Sequence, residues 1–145
     1  MTNGDVVKLC QLDLGDDLVI AAIRRAPRVD FRLDTDGLAS LREGRDVTPE
    51  LAEAGLDAAV VSLNAPDGAT YARLCPSRHG EAAWDAARLF IRAALRRISE
   101  VQASFVAVPG LDEQACRREA EALGAAFRWR PYDRVGRLRE LGGSA

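Results

Sequence analysis

The feature of this sequence that most constrains its fold is a regular alternation of short apolar runs with amphipathic segments. The clearest apolar run, Asp57–Leu63, contains β-branched and small residues and leads directly into a polar loop, Asn64–Asp67. A near-continuous apolar run of this length is typical of a parallel strand that is covered on both faces. Further strands are predicted at residues 5–9, 29–33, 101–108 and 126–130.

Helical patterns fill the intervals between these strands. The strongest is Glu81–Ile98, whose apolar residues recur at spacings of three and four. Asp112 predicts the cap of a later helix, Glu113–Leu123, which Gly124 terminates. The order β-α-β-α-β-α-β-α-β requires parallel strands joined by right-handed helical crossovers. We therefore expect an α/β fold of four to five strands, either a partial parallel (β/α) barrel or a curved open sheet, with a doubly wound sheet as the competing layout.

Length and composition exclude several classes of protein. The 145 residues favour one domain, which we predict to span 1–136, followed by a C-terminal tail, 137–145. The net charge of −2 argues against a nucleic-acid-binding surface. Neither a membrane span nor a signal peptide is expected, so the predicted location is cytoplasmic. The cysteines Cys10, Cys75 and Cys116 are widely spaced, which is typical of reduced thiols and is not a metal-ligand spacing.

Polar side chains follow two of the predicted strands. Ligands of parallel sheets bind beyond the carboxyl ends of the strands, so Ser62 and Asn64 occupy candidate positions. Asp34 and Asp36 form an acidic pair after the preceding strand, and paired carboxylates can perform acid–base chemistry or bind a hard cation. The alternative is that these residues bind no ligand and only stabilise the local backbone, because Asn and Asp also form turns and caps.

The last predicted strand ends in Arg128, Arg130 and Tyr132. These side chains could bind an anion. The alternative is that they are solvent-exposed residues at a strand end and have no ligand. His79, the single histidine, precedes a helix and has no obvious nucleophile beside it, so we predict no catalytic role for it.

Several stretches of the chain together resemble one known family. They are, in chain order, Arg32–Leu38, Gly44–Leu51, Val61–Asp67 followed by Tyr71, Gly80 before its helix, Val108–Gly110 followed by Cys116, and Phe127–Tyr132. In order and spacing these stretches resemble the TatD-associated radical SAM proteins, a branch of the radical S-adenosylmethionine superfamily. The resemblance covers residues 29–136.

The resemblance implies a partial (β/α) barrel whose strand ends contact S-adenosylmethionine. It implies cofactor-binding positions at Ser62, Asn64, Asp34, Thr35 and Asp36. In that family the first strand leads into a C-x-x-x-C-x-x-C loop that binds a [4Fe-4S] cluster, and this sequence contains no such loop. Because the cluster requires closely placed thiolate ligands, the chain does not support one. We predict no catalytic residues and no metal site.

Two positions depart from the family pattern besides the missing cysteines. Gln11–Gly15 stands where the family has a Gly-Glu-Pro type motif, and the Asp34-Thr-Asp-Gly37 turn carries aspartate where the family prefers asparagine. The chain therefore looks like the carboxyl-terminal part of the barrel without its redox part.

Three hypotheses about function follow. The first is a radical SAM-like protein, a remnant or a split piece, that is catalytically inactive alone and acts with a separately encoded, cluster-bearing piece. The second is a module that binds an S-adenosylmethionine-like molecule or another protein. The third is a hydrolase or lyase that uses Asp34 and Asp36. An incomplete barrel leaves edge strands unpaired, so we expect a homo-oligomer or the complex just described, and neither a nucleic-acid nor a membrane partner.

Overall fold

A computed structural model describes residues 16–25 and 30–132 of the chain. The helices are α1 (Asp16–Arg25), α2 (Ala39–Glu43), α3 (Thr48–Glu53), α4 (Gly68–Leu74), α5 (Glu81–Leu95) and α6 (Glu113–Leu123). The strands are β1 (Arg32–Thr35), β2 (Ala58–Ser62), β3 (Glu100–Val106) and β4 (Ala126–Arg130). The predicted strand at residues 5–9 and the predicted tail lie outside the described residues.

The strands form one parallel sheet in the order β1-β2-β3-β4. Every crossover therefore steps in the same direction, and right-handed crossovers then place their helices on the same face of the sheet. A doubly wound sheet reverses its strand order and carries helices on both faces, and within residues 30–132 no such reversal occurs. The prediction of an α/β fold with an open parallel sheet is confirmed.

The face of the sheet that carries the helices, here called the outer face, holds the main hydrophobic core. Odd-numbered strand residues point to it, because side chains alternate along a strand. The strands contribute Leu33, Ala59, Val61, Val101, Ala103 and Phe105, and the helices contribute Ala87, Phe90, Ile91, Ala94, Cys116, Ala120 and Leu123. Full burial of a large apolar side chain stabilises a fold by about 1.5–3 kcal/mol, so this face supplies most of the stability.

The opposite face, here called the inner face, is largely polar. It consists of the even-numbered strand residues, and none of them belongs to the main core cluster. At its amino-terminal edge the Arg32 guanidinium donates to the Glu100 carboxylate at 2.8 Å, across the small side chain of Ala58. The two faces of the same strands thus differ in chemistry.

The first strand begins later than its residue pattern predicts. Asp57 hydrogen-bonds the residue that precedes β1. The Asp57 carboxylate accepts the Phe31 N–H at 2.8 Å, and the Asp57 N–H donates to the Phe31 carbonyl at 3.0 Å. Asp34 and Thr35, expected in a turn, instead pair with β2. The partner strand therefore decided where β1 ends.

Two short helices lie between β1 and β2, and the pattern Thr48-Pro49-Glu50 predicts that Thr48 caps the second of them. The segment after β1 forms α2, which ends at Gly44 in a left-handed conformation, φ 67°. Val47, and not Thr48, precedes the first residue of α3. The Thr48 hydroxyl donates a hydrogen bond to Asp46 Oδ1, two residues earlier in the chain, at 2.7 Å. Thr48 therefore does not cap the helix.

Candidate ligand site at the carboxyl edge of the sheet

The carboxyl edge of the inner face gathers polar side chains from three strands. Ser62 pairs in register with Ser104, and Ser104 pairs with Arg128. These three residues, here called the strand-end row, cross β2, β3 and β4 at one level. Adjacent strands lie about 4.8 Å apart, so the row is about as wide as one small molecule. Arg130 lies one level further on, beside Val106.

Two polar atoms at this edge are buried and have no hydrogen-bond partner among the described residues. They are the Ser104 hydroxyl oxygen and the Arg130 Nε. Ser104 is completely inaccessible to solvent. An unsatisfied buried polar group costs about 1–3 kcal/mol, so native structures rarely keep one without a bound partner. These two atoms therefore point to a ligand or water at the strand ends.

Asn64 is fixed at the end of β2 in a left-handed backbone conformation, φ 60°. Its N–H and that of Leu63 both donate to the Ser104 carbonyl, at 3.1 and 3.0 Å. The Asn64 amide donates to Cys75 Sγ at 3.6 Å, while its Oδ1 is buried without a partner among the described residues. Asparagine tolerates this conformation better than most residues, and such conformations cluster at functional sites.

A small cavity of about 220 Å³ opens beside Asn64. Its other walls are the side chains of Leu74, Cys75, Val106 and Val108, from the end of α4 and the end of β3. Binding sites typically combine apolar walls with a few polar groups that fix orientation. The cavity is too small for a whole cofactor, so it suits the apolar part of a ligand whose polar part lies on the strand-end row.

The three predicted positions at the end of β1 and directly after it have separate roles. Asp34 is exposed on the inner face, one level before Ser62. Thr35 Oγ1 accepts the backbone N–H two residues later, at 3.1 Å. Asp36 accepts a backbone N–H at 2.9 Å and forms an ion pair with Arg42 at 3.0 Å. Because Asp36 is engaged in its turn, the structure offers no support for acid–base chemistry by this pair.

Hydrogen bonds within the chain fix the conformation of the loop after β2. Asp67 caps α4: its carboxylate accepts the Thr70 N–H at 2.8 Å, and this hydrogen bond lowers the pKa of Asp67 below its ordinary value. The Trp84 indole donates to the Ala65 carbonyl at 3.0 Å, which ties the loop to α5. Asp67 therefore has a structural role, whereas Ser62 and Asn64 remain at the candidate site.

The two described cysteines have different surroundings. Cys116 lies in the outer core, where burial raises the pKa of its thiol to about 11. Cys75 is half-buried beside Asn64, and Cys10 lies outside the described residues. Among residues 16–25 and 30–132, no group of three or more His, Cys, Asp or Glu side chains is arranged to hold a metal ion. The residues present do not fit a [4Fe-4S] cluster.

Sequence reasoning missed Ser104 and gave little weight to Arg128 and Arg130. The available signal was the alternation of polar and apolar residues in both strands, with Phe105 and Trp129 at odd positions. Register was needed to place Ser104 between Ser62 and Arg128, and register depends on how the strands pair.

Comparison with known proteins adds no family to this picture: no family model, no curated protein and no solved structure matches the chain. The resemblance to radical SAM proteins therefore stays a prediction. Among the described helices, none has the length and apolar character needed to cross a membrane. The geometry of the strand ends carries the functional argument.

Proposed function

We propose that this chain is a small-molecule-binding α/β domain and that its ligand is S-adenosylmethionine or a molecule of the same kind. The ligand binds at the carboxyl edge of the inner face. The observation that carries the proposal is the strand-end row, Ser62, Ser104 and Arg128, with the unpartnered buried atoms of Ser104 and Arg130 beside it.

The donors at this edge suit a ligand that carries both a carboxylate and hydroxyl groups. Arginine offers several N–H donors in a planar arrangement that pairs with a carboxylate, so Arg128 and Arg130 would bind that end. Serine hydroxyls donate and accept, and the Asn64 Oδ1 accepts only, so these groups would bind ribose hydroxyls or an amino group. S-adenosylmethionine combines all of these groups with a short alkyl chain attached to a sulfonium sulfur, and the neighbouring cavity would accommodate the carbons of that chain.

The domain's own residues would bind and orient this ligand without cleaving it reductively. In radical SAM enzymes an iron–sulfur cluster supplies the electron for that cleavage, and this chain has no set of closely spaced thiolates. We therefore propose that the chain alone is catalytically inactive, as a truncated member of the radical SAM barrel type.

Isothermal titration calorimetry with S-adenosylmethionine and S-adenosylhomocysteine tests the proposal. We expect binding to the wild type, and a ten- to hundred-fold weaker Kd in Arg128→Gln and Arg130→Gln, since a hydrogen bond to a charged group contributes about 1.5–3 kcal/mol. Arg118→Gln, an exposed position on α6, is the matched control and should bind as the wild type does. Absence of heat at millimolar ligand in the wild type would refute the proposal.

A second candidate function is that of a subunit that completes a radical SAM barrel. It is favoured by the two sheet edges: within the described residues β1 pairs only with β2, and β4 only with β3. Unpaired strand edges are templates for pairing with another chain.

Co-expression with a cluster-bearing segment of a TatD-associated radical SAM protein tests this candidate. We expect a stable complex that forms 5′-deoxyadenosine from S-adenosylmethionine after iron and sulfide reconstitution, whereas the chain alone acquires no cluster absorbance. A stable [4Fe-4S] signal from the chain alone, or failure of the two pieces to associate, would contradict it.

A further inference from the structure

A second recess lies in the helical layer, between α5 and the segment formed by α2 and the loop that follows it. We call it the α2–α5 groove. Its volume is about 550 Å³, and the lining residues that matter here are Leu41, Arg45, Leu89, Phe90, Arg92 and Arg96. None of these residues belongs to the strand-end row.

The groove exposes apolar surface. Leu89 is 64% exposed, more than any other large apolar side chain of the described residues, and Leu41 is 37% exposed. The small residues Ala86 and Ala93 lie three and four positions from Leu89 on α5 and keep the groove open. Contiguous exposed apolar surface of this kind marks interaction sites.

The charge around the groove is positive and only partly neutralised. Arg45 forms an ion pair with Glu50, and Asp46 lies 3.7 Å from Arg97. Arg92 and Arg96 have no ion-pair partner within residues 16–25 and 30–132. Arg92 lies in the last turn of α5 and Arg96 is the residue that follows the helix, so the two like charges lie four residues apart at one helix end, where they repel. Negative charge opposite them would remove this repulsion.

The geometry points to an acidic amphipathic helix of a partner protein as the occupant of the α2–α5 groove. Its apolar face would contact Leu41 and Leu89, and its carboxylates would pair with Arg92 and Arg96. The lining positions of α5 and of the residue that follows it run from Ala86 to Arg96, about 15 Å along the helix axis, which matches roughly three turns of a partner helix. Helix-in-groove recognition uses apolar anchor residues three and four positions apart along the bound helix.

Two synthetic peptides test the inference by fluorescence anisotropy with the full chain. One is an amphipathic helix with leucine at spacings of three and four and glutamate elsewhere; the other has lysine in place of each glutamate. We expect the glutamate peptide to bind and the lysine peptide not to bind. The double variant R92E/R96E should reverse this preference, and Leu89→Ser should weaken binding at least ten-fold while its circular dichroism spectrum stays that of the wild type.

The controls separate this surface from the strand-end site. Arg128→Gln should leave peptide binding unchanged, and Arg118→Glu should change it much less than R92E/R96E does. Equal binding of both peptides, no binding of either, or an unchanged preference in R92E/R96E would overturn the inference. Light scattering that reports a wild-type dimer and a monomeric Leu89→Ser variant would also overturn it, by assigning the groove to a second copy of this chain.

Discussion

The two faces of the sheet are made by the same strands and have opposite chemistry. Phe105 points to the outer face, is fully buried and packs against Phe127, with ring centroids 5.6 Å apart and ring planes tilted by 34°. Ser104, its neighbour in the chain, points to the inner face, is equally inaccessible, and has a hydroxyl without a partner among the described residues. Burial alone therefore does not distinguish an apolar side chain that packs in the core from a polar side chain whose hydrogen-bonding group has no partner.

The largest effect is expected on the outer face. Phe105→Ala removes a fully buried aromatic ring and should lower the free energy of unfolding by about 3–5 kcal/mol. Chemical denaturation measures the loss. Val106→Ala, the next residue and half-buried on the inner face, is the control and should cost clearly less. Similar losses in both variants would mean that the two faces contribute equally to stability.

A smaller loss is expected where the loop after β1 meets the outer helical layer. Gly37 has φ 74°, and a β-carbon there would lie 2.8 Å from Val61 Cγ1 and 3.3 Å from Ala87 Cβ. Gly37→Ala should therefore cost about 1–3 kcal/mol. Gly44→Ala is the matched control, because Gly44 has a similar φ of 67° and no atom within 4 Å of that position. Equal melting temperatures of the two variants would show that the contact with Val61 relaxes freely.

The cap of α4 is expected to contribute about 1 kcal/mol, which Asp67→Ala should remove at neutral pH. Because the pKa of Asp67 is lowered in the folded state, its contribution is complete above its unfolded-state pKa of about 3.9 and is lost as the pH falls further. The unfolding curves of wild type and Asp67→Ala should therefore differ at pH 7 and converge towards pH 3. Asp67→Asn keeps a capping oxygen and should lack this pH dependence; an identical pH dependence in Asp67→Asn would assign the effect to other carboxylates.

The smallest loss of stability is expected at Ser104. Ser104→Ala removes a buried hydroxyl that has no partner among the described residues, so the variant should lose no stability and should gain up to about 1–3 kcal/mol in the free energy of unfolding. Ligand binding should weaken in the same variant. The reciprocal change Ala103→Ser buries a hydroxyl in the outer core and should destabilise by about 1–3 kcal/mol. A large loss of stability in Ser104→Ala would make Ser104 a structural residue.

Much of the fold could be predicted from the sequence. Periodicity predicted β4 and α6 with the bounds that the structure has, and Asp112 caps α6 as expected, accepting the N–H groups of Gln114 and Ala115 at 2.9 and 3.1 Å. The ends of β1 could not be predicted, because they depend on hydrogen bonds to Asp57, which is 26 residues from Phe31. Local pattern contains no information on such a contact.

The candidate site was predicted only in part. Ser62 and Asn64 were proposed from the sequence because they lie at the carboxyl end of the most apolar strand, and a strand end is a local feature. Ser104 was missed because nothing in its own stretch, Glu100–Val106, distinguishes it from a surface serine. Its role depends on its register with Ser62 and Arg128, which lie on two other strands.

The sequence by itself determined the class of fold, the direction of the strands and the chemistry available at their ends. Those properties arise from side-chain periodicity and from steric rules that act within a few residues. Only the tertiary structure decided which residues of neighbouring strands lie side by side on each face of the sheet. It therefore decided that Ser62, Ser104 and Arg128 form one row. The physical reason is that strand register is set by interactions between segments distant in the chain, and a shift of one residue would exchange the two faces.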